Sequence, residues 1–267
     1  MDNHFTNKVA WITGASSGIG EALAYELSAA GAKLILSSRR MDELERVKQA
    51  CSNPAQVQVL QLDLTDAASL EGKVTAAIAC FGHIDIMVHN GGVSQRSLVI
   101  DTGMDVHRGL MDLNYFSYVQ LTQALLPHFI ERKAGHFVVT SSVMGKIGTP
   151  KRAAYAAAKH ALHGFFDCLR AEVASDNIKV TILAPGYIRT NISYFGAPNN
   201  TQNPANPSKN ISGGLPADRA AKQILKAIKK GSFEPYIGRF GGEQIALWVT
   251  RLAPGVFTRI APKLTPK

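Results

Sequence analysis

Tyr155 and Lys159 stand four residues apart inside an alanine-rich run, 153–174, whose composition predicts a helix. Four residues is one helical turn, so the phenol and the ammonium share a face. A free phenol titrates at about 10 and is a poor acid–base partner at neutral pH. A neighbouring ammonium favours the phenolate and brings the pair into range. Such a pair can hold and deliver a proton at a substrate oxygen. Taken alone, Tyr-x-x-x-Lys is common, and an aromatic half-buried on an amphipathic helix explains it as well. The rest of the chain decides between the two readings.

Thr13-Gly14-Ala15-Ser16-Ser17-Gly18-Ile19-Gly20 comes directly after a short β-branched run and opens a helical pattern. Glycine allows positive φ and close backbone approach, and the N–H groups of a helix start attract phosphate. Between a first strand and a first helix, this motif points to a dinucleotide. Its spacing is Gly-x-x-x-Gly-x-Gly rather than Gly-x-Gly-x-x-Gly. The next strand ends Leu36-Ser37-Ser38-Arg39-Arg40, without the acid that bonds a ribose 2′-hydroxyl in NAD sites. Arg39 can pair with a 2′-phosphate, and Ser38 and Ser17 can donate further hydrogen bonds. The expected cofactor is NADP(H). Arg40 is read as a solvated charge.

The elements that must position these groups alternate along the chain. Strands are expected at 9–12, 33–37, 56–62, 84–88, 137–140 and 178–183. Helices are expected at 19–30, 42–50, 67–79, 106–130 and 153–174. Strands alternating with helices predict an α/β fold, a single Rossmann-type, doubly wound parallel sheet with helices on both faces. One dinucleotide-binding catalytic domain is expected over 1–267. A stretch at about 191–215, rich in Asn, Pro, Gly and Ser, is too long for an ordinary connection and is read as a substrate lid.

Composition narrows the class. The chain has 267 residues, 46% of them apolar, which suits a full core. Cys51, Cys80 and Cys168 are odd in number and form neither a disulfide framework nor a metal spacing. No run of eighteen apolar residues is present, and the polar start reaches strand-like sequence at once, so a cytoplasmic protein is expected. The net charge is +9, yet no Lys/Arg block with interleaved aromatics appears, so no nucleic-acid partner is expected. His128, His136, His160 and His163 lack metal-ligand spacing, and no metal is expected. Lys146 and Lys151 are read as surface charges.

The motifs and their order identify the chain as resembling the short-chain dehydrogenase/reductase family over nearly its whole length. After the glycine loop come Asp63-Leu64-Thr65, His89-Asn90-Gly91-Gly92, Asn114, Ser142, Tyr155-x-x-x-Lys159, and Pro185-Gly186 with Thr190. Ser-Gln-Arg-Ser at 94–97, Phe-Phe-Asp-Cys-Leu-Arg-Ala-Glu at 165–172 and Pro-Gly-Tyr-Ile at 185–188 are similar to the family's member 7 and 7B branch. Animal members of that branch carry an N-terminal membrane anchor, and this chain is expected to lack one.

The resemblance implies an oxidoreductase moving a hydride between nicotinamide and a carbonyl or secondary alcohol. The branch suggests a reductase of bulky apolar carbonyl compounds. It implies a tetrad of Asn114, Ser142, Tyr155 and Lys159: Ser142 holds the substrate oxygen, Lys159 also bonds the nicotinamide ribose, and Asn114 binds a relay water. Cofactor contacts are implied at Gly14, Ser16, Ser17, Gly18, Ile19, Gly20, Ser38, Arg39, Asp63, Leu64, Asn90, Gly92, Tyr155, Lys159, Pro185, Gly186, Ile188 and Thr190. A homodimer or homotetramer is implied. His89 replaces the family's asparagine, which is expected to loosen packing near the adenine. Ser141 is one residue out of register with Tyr155 and is read as structural. Other readings are a silent NADP(H)-sensing protein, which would need a broken tetrad, and an isomerase, epimerase or dehydratase, which would need altered catalytic groups.

The C-terminal arm, about 240–267, mixes apolar residues with Arg251, Arg259, Lys263 and Lys267 and has one acid, Glu243. Pro254-Gly255 is expected to break any helix there. The arm is read as packing on the domain or on a second subunit. A sharper reading has the part past Pro254 making a weak peripheral membrane contact.

Overall fold

The computed structural model describes residues 4–192 and 213–264. Strand β1 (Val9–Thr13) is buried along its whole length. Ala10 and Ile12 turn to one face of the sheet and Val9 and Trp11 to the other, the period-two alternation of a strand covered on both sides. The Trp11 indole N–H donates to Ser37 Oγ at 2.9 Å, so its polar atom is satisfied in the core. The chain continues through strands β2 (Lys33–Ser38), β3 (Val57–Gln61), β4 (Ile86–His89), β5 (Gly135–Thr140) and β6 (Ile178–Pro185). β7 (Ile188–Arg189) and β8 (Leu215–Pro216) form a separate two-residue parallel pair, and β9 (Tyr236–Ile237) joins the main sheet.

The main sheet is parallel, in the order β3-β2-β1-β4-β5-β6-β9. Helices α1 (Gly18–Ala29), α2 (Met41–Ala50) and α7 (Ala217–Lys230) cover the face that carries Ile12, Leu34 and Leu36. Helices α3 (Leu70–Phe81), α5 (Ser117–Arg132) and α6 (Ala153–Glu172) cover the face that carries Trp11, Ile35 and Phe137. This is the doubly wound sheet that the alternating pattern predicts. Strand order reverses at β1, which pairs with both β2 and β4. Ligands of open α/β sheets bind outside the carboxyl ends of the strands at such a reversal. The sheet's opposite end is pinned by Asp85, whose carboxylate accepts from the Val9 N–H at 2.9 Å and from Arg132 at 3.0 Å.

Three details depart from expectation. The long helix runs from Met104 to Arg132, but α4 (Met104–Met111) and α5 are joined by one π-helical turn, Asp112–Phe116, with Asn114 at its centre. An extra residue in a turn is a common device at functional sites. Helix α7 and β9 lie beyond the sixth expected strand. Helix α7 buries Ala220, Ala221, Ile224, Ala227 and Ile228 along one stripe, whereas β9 is too short for any alternation to announce it. In the arm, α8 (Gly242–Leu252) stops at Ala253, as Pro254-Gly255 predicts, but Pro254 then opens a new helix, α9 (Pro254–Ile260). Proline suits a first helical position, where its missing N–H has no partner to lose.

Of the expected lid, residues 193–212, with Tyr194, Phe195 and Ile211, lie outside the described residues. Its two ends are brought together: β7 pairs with β8, and the Leu215 N–H donates to the Tyr187 carbonyl at 2.9 Å.

Candidate active site

The chain turns sharply after β1 because Gly14 and Gly18 hold φ of +63° and +62°, which a side chain would strain. The loop packs tightly on the segment after β4. A Cβ on Gly20 would stand 2.4 Å from the Gly14 carbonyl oxygen and 2.7 Å from Asn90 Nδ2. Asn90 fastens the two loops: its backbone N–H donates to Thr13 Oγ1 at 3.0 Å, and Nδ2 donates to the carbonyls of Thr13 and Gly14 at 3.2 and 3.3 Å. Ser17 caps α1 with extended backbone and no side-chain bond, leaving the first-turn N–H groups to face a cavity.

That cavity is about 700 Å³ and runs from the end of β2 to the start of α6. Seventeen of the residues the sequence points to line it: Gly14, Ser16, Ser17, Gly18, Ile19, Ser38, Arg39, Asp63, Leu64, Asn90, Gly92, Tyr155, Lys159, Pro185, Gly186, Ile188 and Thr190. Ser142 lines it as well. Gly20 and Asn114 do not. Gly20 instead makes room for the Gly14–Asn90 contact.

Asn114 is fully buried behind the cavity wall. Its Oδ1 accepts the Val93 N–H at 3.0 Å and its Nδ2 donates to the Val93 carbonyl at 2.8 Å. The side chain that the resemblance assigns to a water relay thus clamps the loop leading out of Gly91-Gly92. A Cβ on Gly92 would come within 2.9 Å of Asn114 Oδ1.

At the α6 end, Lys159 is buried and its Nζ donates to the Thr140 carbonyl at 2.8 Å. The same Nζ lies 5.5 Å from the centre of the Tyr118 ring and 5.8 Å from that of Tyr155. Burial pulls the ammonium down to about 7. Tyr155 is half-buried on the cavity wall. Ser142, two residues past β5, has extended backbone and caps a 3₁₀ turn, Val143–Gly145: its Oγ accepts the Met144 N–H at 3.1 Å and donates to the Pro185 carbonyl at 3.5 Å. Phenol, hydroxyl and buried cation therefore meet at one end of one cavity.

At the β2 end, the strand is followed directly by Arg39 and Arg40 rather than by a carboxylate. The Asp63 carboxyl stays below its ordinary range against the upward push of burial, held there by the N–H and O–H of Thr65 and by nearby Arg39. Arg40 is exposed, as the sequence suggests, but it also has a role at the site: its Nη2 donates to Ser16 Oγ at 3.1 Å and it lines the cavity. Arg46, unremarked in the sequence, reaches the same place from α2, donating to the Ser16 carbonyl at 3.4 Å and to Glu21 at 2.7 Å and Glu43 at 2.8 Å. Of the three acids lining this end, Glu21 and Glu43 are paired with Arg46, and Asp63 lies near Arg39.

Two further lining residues carry no local signal. Arg152 is a buried cation whose Nη1 donates to Ser94 Oγ at 2.7 Å and the Gln95 carbonyl at 2.9 Å. Glu243, from α8, accepts the Tyr187 N–H at 3.0 and 3.2 Å and the Tyr236 hydroxyl at 2.9 Å. Burial raises its carboxyl above the usual range.

Residues beside the motifs have structural work. Ser141 is buried and bonds His163 Nε2 at 2.9 Å. Lys146 pairs with Glu234 at 2.7 Å, so it is not a simple surface charge. His89 does not reach the adenine end. Its ring is fully buried under α5, 4.8 Å from the Tyr118 ring, with Nε2 2.9 Å from Thr122 Oγ1, and burial pushes its pKa down to about 3, so it stays neutral.

The short chain dehydrogenase model matches residues 8–198, and the chain belongs to that family, whose members are nicotinamide-dependent oxidoreductases. Within it the chain falls in the member 7 branch. It is 40% identical to dehydrogenase/reductase SDR family member 7B of Mus musculus over 96% of this chain and 81% of the relative. It is 43% identical to dehydrogenase/reductase SDR family protein 7-like of Anopheles gambiae over 99% and 85%. It is 51% identical to dehydrogenase/reductase SDR family member 7 of Homo sapiens over 70% of this chain and 57% of that relative. Among solved structures, a short-chain dehydrogenase from Streptomyces avermitilis is 31% identical with a TM-score of 0.81, covering 95% of this chain and 94% of that one. A Burkholderia phymatum member in complex with NAD has the same TM-score at 23% identity, covering 100% and 98%, and shares the fold.

Among the described residues, no cluster could hold a metal and no helix is long and apolar enough to cross a membrane.

Proposed function

We propose that the protein is an NADP(H)-dependent reductase of bulky apolar carbonyl compounds. The observation that carries this reading is the meeting of Tyr155, Ser142 and buried Lys159 at one end of a cavity whose other end holds Arg39 and Arg40, with Glu21 and Glu43 there paired to Arg46. The donor set fits an extended, multiply anionic dinucleotide: open N–H groups at the start of α1, cations at the end of β2, and a buried ammonium near the hydroxyl end. NADP(H), when bound, supplies or accepts the hydride.

The chain's own residues handle the oxygen. Ser142 Oγ donates a hydrogen bond to the substrate carbonyl and fixes it beside Tyr155. As negative charge grows on that oxygen, the Tyr155 hydroxyl gives up its proton to it, and the alcohol leaves with that proton. The phenolate left behind is stabilised by the Lys159 ammonium. Asn114 acts by holding Val93, and so the loop of Gly92, against α6. Arg39 selects the 2′-phosphate, with Ser38, Ser17 and Arg40 nearby. Asp63 would hold the adenine and the Ile188 backbone the carboxamide of the bound cofactor. Two copies or four form the working assembly, in the cytoplasm.

The test is steady-state oxidation of NADPH and of NADH, followed at 340 nm, across ketones of increasing apolar bulk. Faster turnover with NADPH and rising kcat/KM with bulk supports the reading. A preference for NADH, or turnover confined to small polar carbonyls, contradicts it.

A further inference from the structure

The arm after β9 faces two ways. Glu243, in the first turn of α8, points inward onto the Tyr187 N–H and the Tyr236 hydroxyl and lines the cavity. At about 100° per residue, Ile245, Trp248 and Leu252 fall within roughly a 60° arc on the opposite side of the helix. They are 52%, 59% and 74% exposed. Helix α8 fully buries none of its residues, and α9 buries only Phe257. The apolar stripe therefore belongs to no part of the described core. It starts two residues from a side chain that lines the cavity, and Trp248 lies only about 7.5 Å farther along the axis than Glu243.

Charge indicates what the stripe meets. Arg251, Arg259 and Lys263 are exposed beside it. Glu243 is the one acid between Arg239 and Leu264, and it is turned away. The outer face thus combines apolar anchors, including a tryptophan, with cations and no carboxylate. That combination suits an anionic interface, where rings and aliphatic chains enter the headgroup boundary and cations meet phosphates. The other conspicuous apolar patch, around Val99 and Ile100, is flanked by Asp101 and Asp105 and lacks this pattern.

We propose that the outer face of α8 and α9 docks on an anionic lipid surface, placing the cavity wall that carries Glu243 next to the membrane. The binding is peripheral and reversible, as expected for one short amphipathic segment. It stands independently of which cofactor the enzyme prefers.

The full chain is tested by flotation with vesicles of phosphatidylcholine alone or mixed with phosphatidylserine, at low and high salt. Tryptophan emission gives a second readout: of the chain's two tryptophans, Trp11 is fully buried, so a vesicle-induced blue shift reports Trp248. The expected result is flotation with phosphatidylserine vesicles only, a blue shift, and weakening by salt. Arg259→Ala and Lys263→Ala should each lower partitioning about five-fold. Trp248→Glu should abolish flotation while melting temperature and NADPH affinity hold, and Ile100→Glu should float like wild type. No flotation or shift at low salt overturns the proposal, as does equal binding to phosphatidylcholine. It is also overturned if Trp248→Glu lowers the mass of the lipid-free protein, because the face then covers a second copy.

Discussion

Burial of the Lys159 amine should make cofactor binding a proton-uptake reaction. In the free protein, burial holds this group at about 7, down from 10.5. At pH about 8, roughly one unit above that value, only about a tenth of the molecules carry the charge. An anionic cofactor beside Lys159 favours the ammonium and raises its pKa. Binding at pH about 8 should then take up close to one proton, ~0.9, from solvent. The sign comes from linkage: the complex has the higher pKa, so affinity is strongest below about 7 and falls as pH rises toward the pKa of the complex, by up to about ten-fold per unit. Titration calorimetry of NADPH at pH about 8, in buffers of widely different ionisation enthalpy, measures the uptake as the slope of heat against that enthalpy. Lys159→Met should bind more weakly and show a slope near zero. An equal slope in wild type and variant would assign the proton elsewhere. A zero slope in wild type would mean that Lys159 is already charged in the free protein.

Named contacts set the other expected outcomes. Arg39→Ala should weaken NADPH by about ten- to a hundred-fold more than NADH, the worth of a charge-assisted pair, and equal weakening measured by fluorescence titration would remove Arg39 as selector. Gly20→Ala would drive a methyl into the Gly14 carbonyl, 2.4 Å away, and should cost about 1–3 kcal/mol in urea unfolding along with most cofactor affinity. Gly72→Ala, in α3 with nothing within 4 Å of its new Cβ, should instead stabilise by about 0.5–1 kcal/mol; a loss there would show that the helix surface at Gly72 is crowded rather than open. Limited proteolysis between Ile192 and Gly213 should slow when NADPH and substrate are both present, and identical cutting would argue against a closing segment.

The parts of this molecule legible in its sequence are those set by local spacing. Strand β1 announces itself because all five residues are buried and tolerate no charge, and the glycine loop because positive φ and tight packing restrict the residue type. Tyr155 and Lys159 are legible because one helical turn fixes their relation. The residues that sequence reasoning misses depend on contacts between distant segments. Arg46 reaches Ser16 only because α2 lies beside α1, and Arg152 reaches Ser94 only because the post-β4 loop folds under α6. Glu243 enters the cavity from the last part of the chain through the backbone of Tyr187. Arg40 is exposed as its sequence suggests, but its bond to Ser16 is hidden in the sequence because the two follow neighbouring strands, β2 and β1. The neighbours of His89 in sequence point it toward the adenine, whereas strand alternation turns its ring to the α5 face.

The central claim, that Tyr155 delivers the proton at a site assembled around the cofactor, is tested most directly by measuring NADPH affinity and single-turnover NADPH oxidation on Tyr155→Phe with a reducible bulky ketone. The account predicts affinity within a few-fold of wild type and oxidation reduced to less than a tenth. Oxidation that persists near the wild-type rate, with the phenol gone, would contradict it.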